Sequence, residues 1–181
     1  MKRVAILATD GFEEIELTSP KKALEDAGIQ VDVISPSGNR IKAWNEDNWG
    51  DTYDVDKSLS EVSASDYNSL MLPGGVMNPD QLRQDENAVK FIKSFFEQKK
   101  PVSAICHGIQ PLIDADVLEG RKLTSYPSLR KDVENAGGNW VDEAVVCDEG
   151  FTTSRTPDDL EAFNSKMVEE VREGKHEEQH A

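Results

Sequence analysis

Positive charge, cysteine and long apolar runs are all scarce in this sequence, and each shortage removes a class of function. Lys and Arg number 20 against 35 Asp and Glu, a formal net charge of −15. That excess repels phosphate backbones and anionic lipid, which argues against a nucleic-acid or membrane partner. Only two cysteines occur, Cys106 and Cys147. Two in a chain of 181 residues are no disulfide framework, so free thiols and a reducing, cytoplasmic setting are expected. Met1-Lys2-Arg3 leads into only five apolar residues, too few for a secretory leader. No apolar run approaches the roughly 20 residues of a membrane span. Repeats and linker-like stretches are absent as well. One domain over residues 1–175 is expected, followed by a polar tail over 176–181, of which 177–181 read as disordered.

What is present is an alternation of short apolar runs with helical segments. Residues 4–8, 31–34, 70–72 and 102–105 read as buried strands. Between the first two lies a helix reaching about Ala27, with acids in its first turn and Gly28 beyond its end. Pro20 inside it predicts a kink or a late start. Residues 37–56 carry turn formers and three aromatics, Trp44, Trp49 and Tyr53, and read as a hairpin or irregular excursion. Val89, Ile92, Phe95 and Phe96 place one apolar face on a helix over 86–98. Residues 123–127 read as a strand running into a loop. Residues 145–147 and 151–153 flank a tight hairpin turn, and Cys147 falls on its core side. Thr156-Pro157-Asp158-Asp159 has the form of a helix start, with a capping hydroxyl and Pro at the first position. Strands alternating with helices mean an α/β sandwich around a mostly parallel sheet, with any site at the strands' carboxyl ends.

The densest chemistry lies at Ala104-Ile105-Cys106-His107-Gly108. A buried strand stops at Cys106 and a helix-compatible segment follows at once. Small residues two positions either side let strand and helix pass closely, as at the elbow of serine hydrolases. Such a turn lifts the thiol to the sheet edge and sets it at a helix N-terminus, which favours the thiolate. The bland alternative is a small core residue. His107 could be a general base beside the thiol or a helix-terminal residue with no role. Glu16, one turn into the first helix, could donate a hydrogen bond to sulfur if burial keeps it protonated. The sequence does not separate it from Glu13 and Glu14. Pro73-Gly74-Gly75 follows the third strand without the Lys of a phosphate loop, so a backbone N–H donor beside a reacting centre is the better use. Tyr126 also falls just past an expected strand. His176-Glu177-Glu178-Gln179-His180 has the spacing of a zinc-protease helix. It lacks an apolar face and a third ligand, so no metal is expected there.

With these segments the chain resembles the ThiJ/PfpI superfamily, most closely the PfpI-type intracellular proteases and general stress proteins. The resemblance spans nearly the whole chain and rests on Ala104–Gly108, Asp10–Leu17, Leu72–Gly75, Gly120–Pro127 and Thr153–Leu160. It implies a flavodoxin-like three-layer α/β/α sandwich shared with class I glutamine amidotransferases. It also implies Cys106 as nucleophile, Glu16 as the carboxyl touching the thiol, and N–H donors from Gly75 and His107, with Gly74 beside them. By the same resemblance, Tyr126 lines the pocket. Asp80, where some members carry Glu, would pair with His107 of a neighbouring subunit in a homo-oligomer, a dimer or an assembly of dimers. Ile109 stands where many members have Pro, which leaves the motif intact. Peptidase, glyoxalase and deglycase activities on peptides or methylglyoxal-type carbonyls belong to the superfamily, as does oxidation sensing, and none needs a cofactor.

Overall fold

Short aliphatic runs become the strands of one sheet because both of its faces are covered. The computed structural model describes residues 1–181. In chain order the elements begin with β1 (Arg3–Leu7), α1 (Glu14–Asp26), β2 (Gln30–Ser35), β3 (Arg40–Asn45), β4 (Asn48–Asp54) and β5 (Lys57–Ser58). They continue with β6 (Ser69–Leu72), α2 (Met77–Leu82), α3 (Glu86–Glu97), β7 (Val102–Ile105), α4 (Gln110–Asp114) and β8 (Lys122–Leu123). The last are α5 (Arg130–Asn135), β9 (Asn139–Trp140), β10 (Val146–Asp148), β11 (Phe151–Ser154) and α6 (Leu160–Glu173). Seven strands form the main sheet in the order β10-β11-β7-β6-β1-β2-β5. Only β10 runs antiparallel to its neighbour.

Period-two alternation divides each central strand between two cores. Ala5, Leu7, Leu70, Leu72, Val102 and Ala104 face one core, while Val4, Ile6, Met71 and Ile105 face the other. The first is closed by α3, whose Ala88, Phe91, Ile92, Phe95 and Phe96 recur at helical spacing and are buried. Each of the Phe and Ile side chains contributes roughly 1.5–3 kcal/mol on burial. The second is closed by α1 and α6 through Leu17, Leu24, Leu160, Phe163 and Met167. The result is the expected three-layer, flavodoxin-like sandwich.

Several local expectations need correction. Helix α1 runs unbroken from Glu14 through the buried Pro20 to Asp26; the missing N–H there leaves only the Glu16 carbonyl without its helical donor. Residues 37–56, by contrast, hold the expected hairpin, β3–β4, outside the main sheet. Tyr126 lies in a loop past a strand, as expected, though β8 already ends at Leu123 and pairs only with β9. Thr156 holds the extended position before Pro157, but its hydroxyl caps nothing. Asp159 instead ties that corner, accepting from the Arg155 backbone N–H at 3.0 Å and from its guanidinium at 2.9 and 3.0 Å. Cys147 is exposed. Strand β10 is the sheet edge, and alternation turns Val146 inward and Cys147 outward. The terminal residues pack instead of fraying. Gln179 is only 2 % exposed, and the Arg121 guanidinium donates to the His180 carbonyl.

Candidate active site

The carboxyl ends of β1, β6 and β7 meet beside the strand-order reversal, where open α/β sheets hold ligands. Cys106 follows β7 directly and adopts φ +61°, a left-handed conformation uncommon for any residue but glycine. That turn stands the side chain against the cleft. A short 3₁₀ turn, Cys106–Ile109, and the five-residue α4 come next. The helix dipole behind the sulfur is therefore shorter than the sequence suggested. The sulfur lies 3.2 Å from His107 Nδ1. The His107 ring stacks on Tyr126 with centroids 4.6 Å apart, and Tyr126 is itself fixed by its N–H donating to the Cys106 carbonyl at 3.2 Å.

Glu16 is fully buried and reaches the same point from α1. Its Oε1 accepts from the Gly74 N–H at 3.0 Å. Gly74 fits between acid and thiol only because it lacks a side chain. A Cβ there would stand 2.5 Å from Glu16 Oε1 and 2.9 Å from Cys106 Cβ. Gly75, at φ +82°, turns its backbone so that a Cβ would meet the Gly11 carbonyl at 2.4 Å and the chain must be glycine there. The loop is braced by Asn78, a buried residue that sequence reasoning passed over. Its Oδ1 accepts from the Thr9 N–H at 2.8 Å, and its Nδ2 donates to the Pro73 and Gly74 carbonyls at 3.1 Å each. An Asn before a helical Pro gives no signal of such bracing in a sequence.

Electrostatics depart from the expected low-pKa thiol. Burial raises the Cys106 thiol, and the neighbouring Glu16 charge adds to the rise. The N–H groups of His107 and Gly75 act in the opposite sense. Burial also pushes Glu16 up, to about 8 against an ordinary 4.5. Near neutral pH Glu16 therefore keeps its proton and can donate to sulfur. A thiolate here depends on that proton more than on a helix dipole. Burial lowers His107, which stays a neutral imidazole able to accept the thiol proton.

The cleft over Cys106 encloses about 440 Å³, with Trp44, Glu46, Met77 and Pro157 added to the residues above. That size suits a small molecule or one side chain. Glu13 lines it too, its pKa raised chiefly by burial and its Oε1 accepting from the Glu46 N–H at 3.0 Å. Cys106, His107, Glu16, Gly74, Gly75 and Tyr126 are thus brought together as a group. Asp80 is not. It lies in the first turn of α2, exposed, and its carboxylate has no hydrogen bond or ion pair within the chain.

A buried acid, an adjacent imidazole and a strained cysteine after a central strand define an α/β sandwich of the cysteine-elbow class. The sequence profile of the DJ-1/PfpI family matches residues 2–170, and the chain belongs to that family. It is 50% identical over 168 residues to the "Putative cysteine protease YraA" of Bacillus subtilis, covering 92% of this chain and 96% of that protein. It is 47% identical over the same length to "General stress protein 18" of the same organism, with the same coverage. Among solved structures, Drosophila melanogaster DJ-1beta superposes with a TM-score of 0.84 at 29% identity, over 95% of this chain and 94% of that one. A two-domain Anabaena variabilis protein with DJ-1/ThiJ/PfpI-like and ferritin-like domains gives 0.89 at 35% identity, over 95% of this chain and 48% of that one. No helix is long and apolar enough to cross a membrane.

Proposed function

We propose that the protein is a cofactor-free, cysteine-dependent enzyme acting on small carbonyl compounds of the methylglyoxal type. The observation that carries this is the Cys106 sulfur, 3.2 Å from an imidazole nitrogen at the floor of a small cleft. His107 Nδ1 takes the thiol proton, and the sulfur adds to the aldehyde carbon to give a hemithioacetal. The developing oxyanion is met by the Gly75 and His107 N–H groups. Transfer of the C1 hydrogen to C2 as a proton through an enediol leaves a thioester, and water releases lactate and the free thiol. Glu16, holding its proton, steadies the sulfur in the charged stages.

An amide is a harder substrate, because its nitrogen must be protonated as it leaves. The name of the 50%-identical relative keeps peptide hydrolysis as the second reading. The partner's Asp80 would orient His107 across a homo-oligomer interface in a cytoplasmic protein, since nothing within the chain meets that carboxylate. Wild type and Cys106→Ala are compared on methylglyoxal and on a fluorogenic peptide. Loss of the methylglyoxal rate alone supports the first reading. Loss of the peptide rate alone moves the assignment to peptidase, and equal rates for both proteins on both substrates end the proposal.

A further inference from the structure

Away from the cleft, the end of α6 and the terminal segment build a second polar cluster. Glu170 and Glu173 occupy the last turn of α6, and the chain reverses at Gly174 to bring His176 back over them. One ligand atom from each of the three falls within 4.8 Å of the others. Backbone bonds hold the segment there: the His176 N–H donates to the Lys99 carbonyl at 3.0 Å, and the Gln179 N–H donates to the His176 carbonyl at 3.0 Å. Gly150, in the β10–β11 turn, sits close beneath, where a Cβ would meet His176 Cδ2 at 2.6 Å and Gln179 Oε1 at 3.2 Å.

Two features distinguish this cluster from an ordinary ion pair. Glu170 Oε2 and His176 Nε2 are 2.7 Å apart, yet both are buried and neither is in hydrogen-bond geometry. A protonated imidazole serving as a salt-bridge partner would aim its N–H at the carboxylate. Two ligands of one cation aim at the cation instead; bonds of roughly 2.1 Å set them about 3.4 Å apart in a tetrahedral site, so this pair would open by about 0.7 Å to admit one. Independently, Gln179 is 2 % exposed and both its amide atoms lack a partner. Its oxygen and the Cγ–Cδ2 edge of the His176 ring both lie over Gly150. A buried primary amide left unpaired is costly, and a cation would satisfy its oxygen.

Charge agrees with this. Lys166 holds Glu170 Oε1 and Glu169 at 2.9 Å each, and Glu173 Oε2 is 3.9 Å from His176 Nε2. Three carboxylates against one ammonium leave two negative charges around the imidazole. His180 takes no part, its ring facing the Glu119 carbonyl at 3.4 Å, so the His-Glu-x-x-His spacing of the tail is not what forms the site.

We propose that Glu170, Glu173 and His176, with the Gln179 amide oxygen beside them, bind one divalent first-row transition cation that fastens the C-terminal segment to α6. Imidazole with carboxylates suits zinc and its neighbours and disfavours magnesium. The test is calorimetric titration of the full-length, chelator-treated protein with ZnCl₂ at pH 7.5. Cys106→Ala and Cys147→Ser are introduced first, because Cys147 senses the Glu170 charge and either thiol could take zinc. One equivalent is expected to bind. His176→Gln and Glu173→Gln should each weaken binding more than about tenfold, since losing even an outer-shell partner of a ligand costs about 10–100-fold. Glu173 is exposed, so its variant keeps the test open if His176→Gln loosens the tail. A dissociation constant no tighter than a millimolar, or undiminished binding in either folded variant, overturns the proposal.

Discussion

Replacing Glu16 by Gln would separate the two effects that this buried acid has. Gln copies the protonated carboxyl: its oxygen can still accept from the Gly74 N–H at the 3.0 Å position, and its amide can still donate to sulfur. Glu16 is raised from 4.5 to about 8 in the folded protein. Between those values the native state binds a proton that the unfolded chain does not, so stability falls as pH rises. The slope from this one group is about 1.4 kcal/mol per pH unit, and the whole window is worth on the order of 5 kcal/mol. Below pH 4.5 both states are protonated and the variant gains nothing. Urea unfolding of both proteins at pH 5, 6, 7 and 8 should show Glu16→Gln gaining on wild type by roughly that slope. Groups common to both cancel in the difference, and the Cys106 thiol titrates above this window. The same substitution removes the Glu16 charge that raises the thiol. Iodoacetamide alkylation of Cys106, measured with Cys147→Ser, should therefore set in at lower pH in the variant. A stability difference that does not change from pH 5 to pH 8, or an alkylation profile displaced upward, would refute the assignment of a proton to Glu16 at neutral pH.

Gly74→Ala places a methyl 2.5 Å from Glu16 Oε1 and 2.9 Å from Cys106 Cβ; circular-dichroism melts should show a loss of about 1–3 kcal/mol or more, with activity abolished. Tyr126→Ala removes the ring stacked on His107 at 4.6 Å. A contact of this kind is worth about 0.5–1.5 kcal/mol, so kcat should fall several-fold while Cys106 alkylation stays intact. Deleting residues 177–181 takes the His180 carbonyl from the buried Arg121 guanidinium. An unpaired buried donor costs about 1–3 kcal/mol, to be read from urea midpoints. Asp80→Asn touches no contact within the chain; unchanged melting with a lower kcat is expected, and unchanged kcat in an intact oligomer would remove Asp80 from the mechanism.

The parts legible in the sequence share a physical cause. Strand ends, a glycine pair and a cysteine between small residues all encode backbone geometry, which local residue type controls. The φ of +61° at Cys106 and the close approach at Gly74 follow from such rules. What escaped notice is polar burial decided by distant partners. Nothing local marks Asn78 as the brace of the loop, since its three bonds go to Thr9, Pro73 and Gly74. The tail read as disordered because its residues are polar, yet Gln179 is buried and the His180 carbonyl meets the buried Arg121 guanidinium. Cys147 failed for a different reason: the run Val145-Val146-Cys147 looks continuous, but an edge strand has a solvent face and alternation assigns it.

The thiol itself is the instructive case. Position suggested an activated sulfur; the structure sets that sulfur against the cleft, but burial works against ionisation there. The two facts reconcile through Glu16. A carboxyl raised to about 8 and a thiol in contact with it cannot both lose their protons cheaply. The pair therefore retains one proton near neutrality, and His107, kept neutral by the same burial, is the group able to accept the other. The consequence is an upper pH limit on activity. Once Glu16 ionises, its charge opposes the thiolate, so the rate should fall above about pH 8 in wild type. In Glu16→Gln that limb should be absent or displaced upward, and its persistence at the same pH would assign the limb to another group.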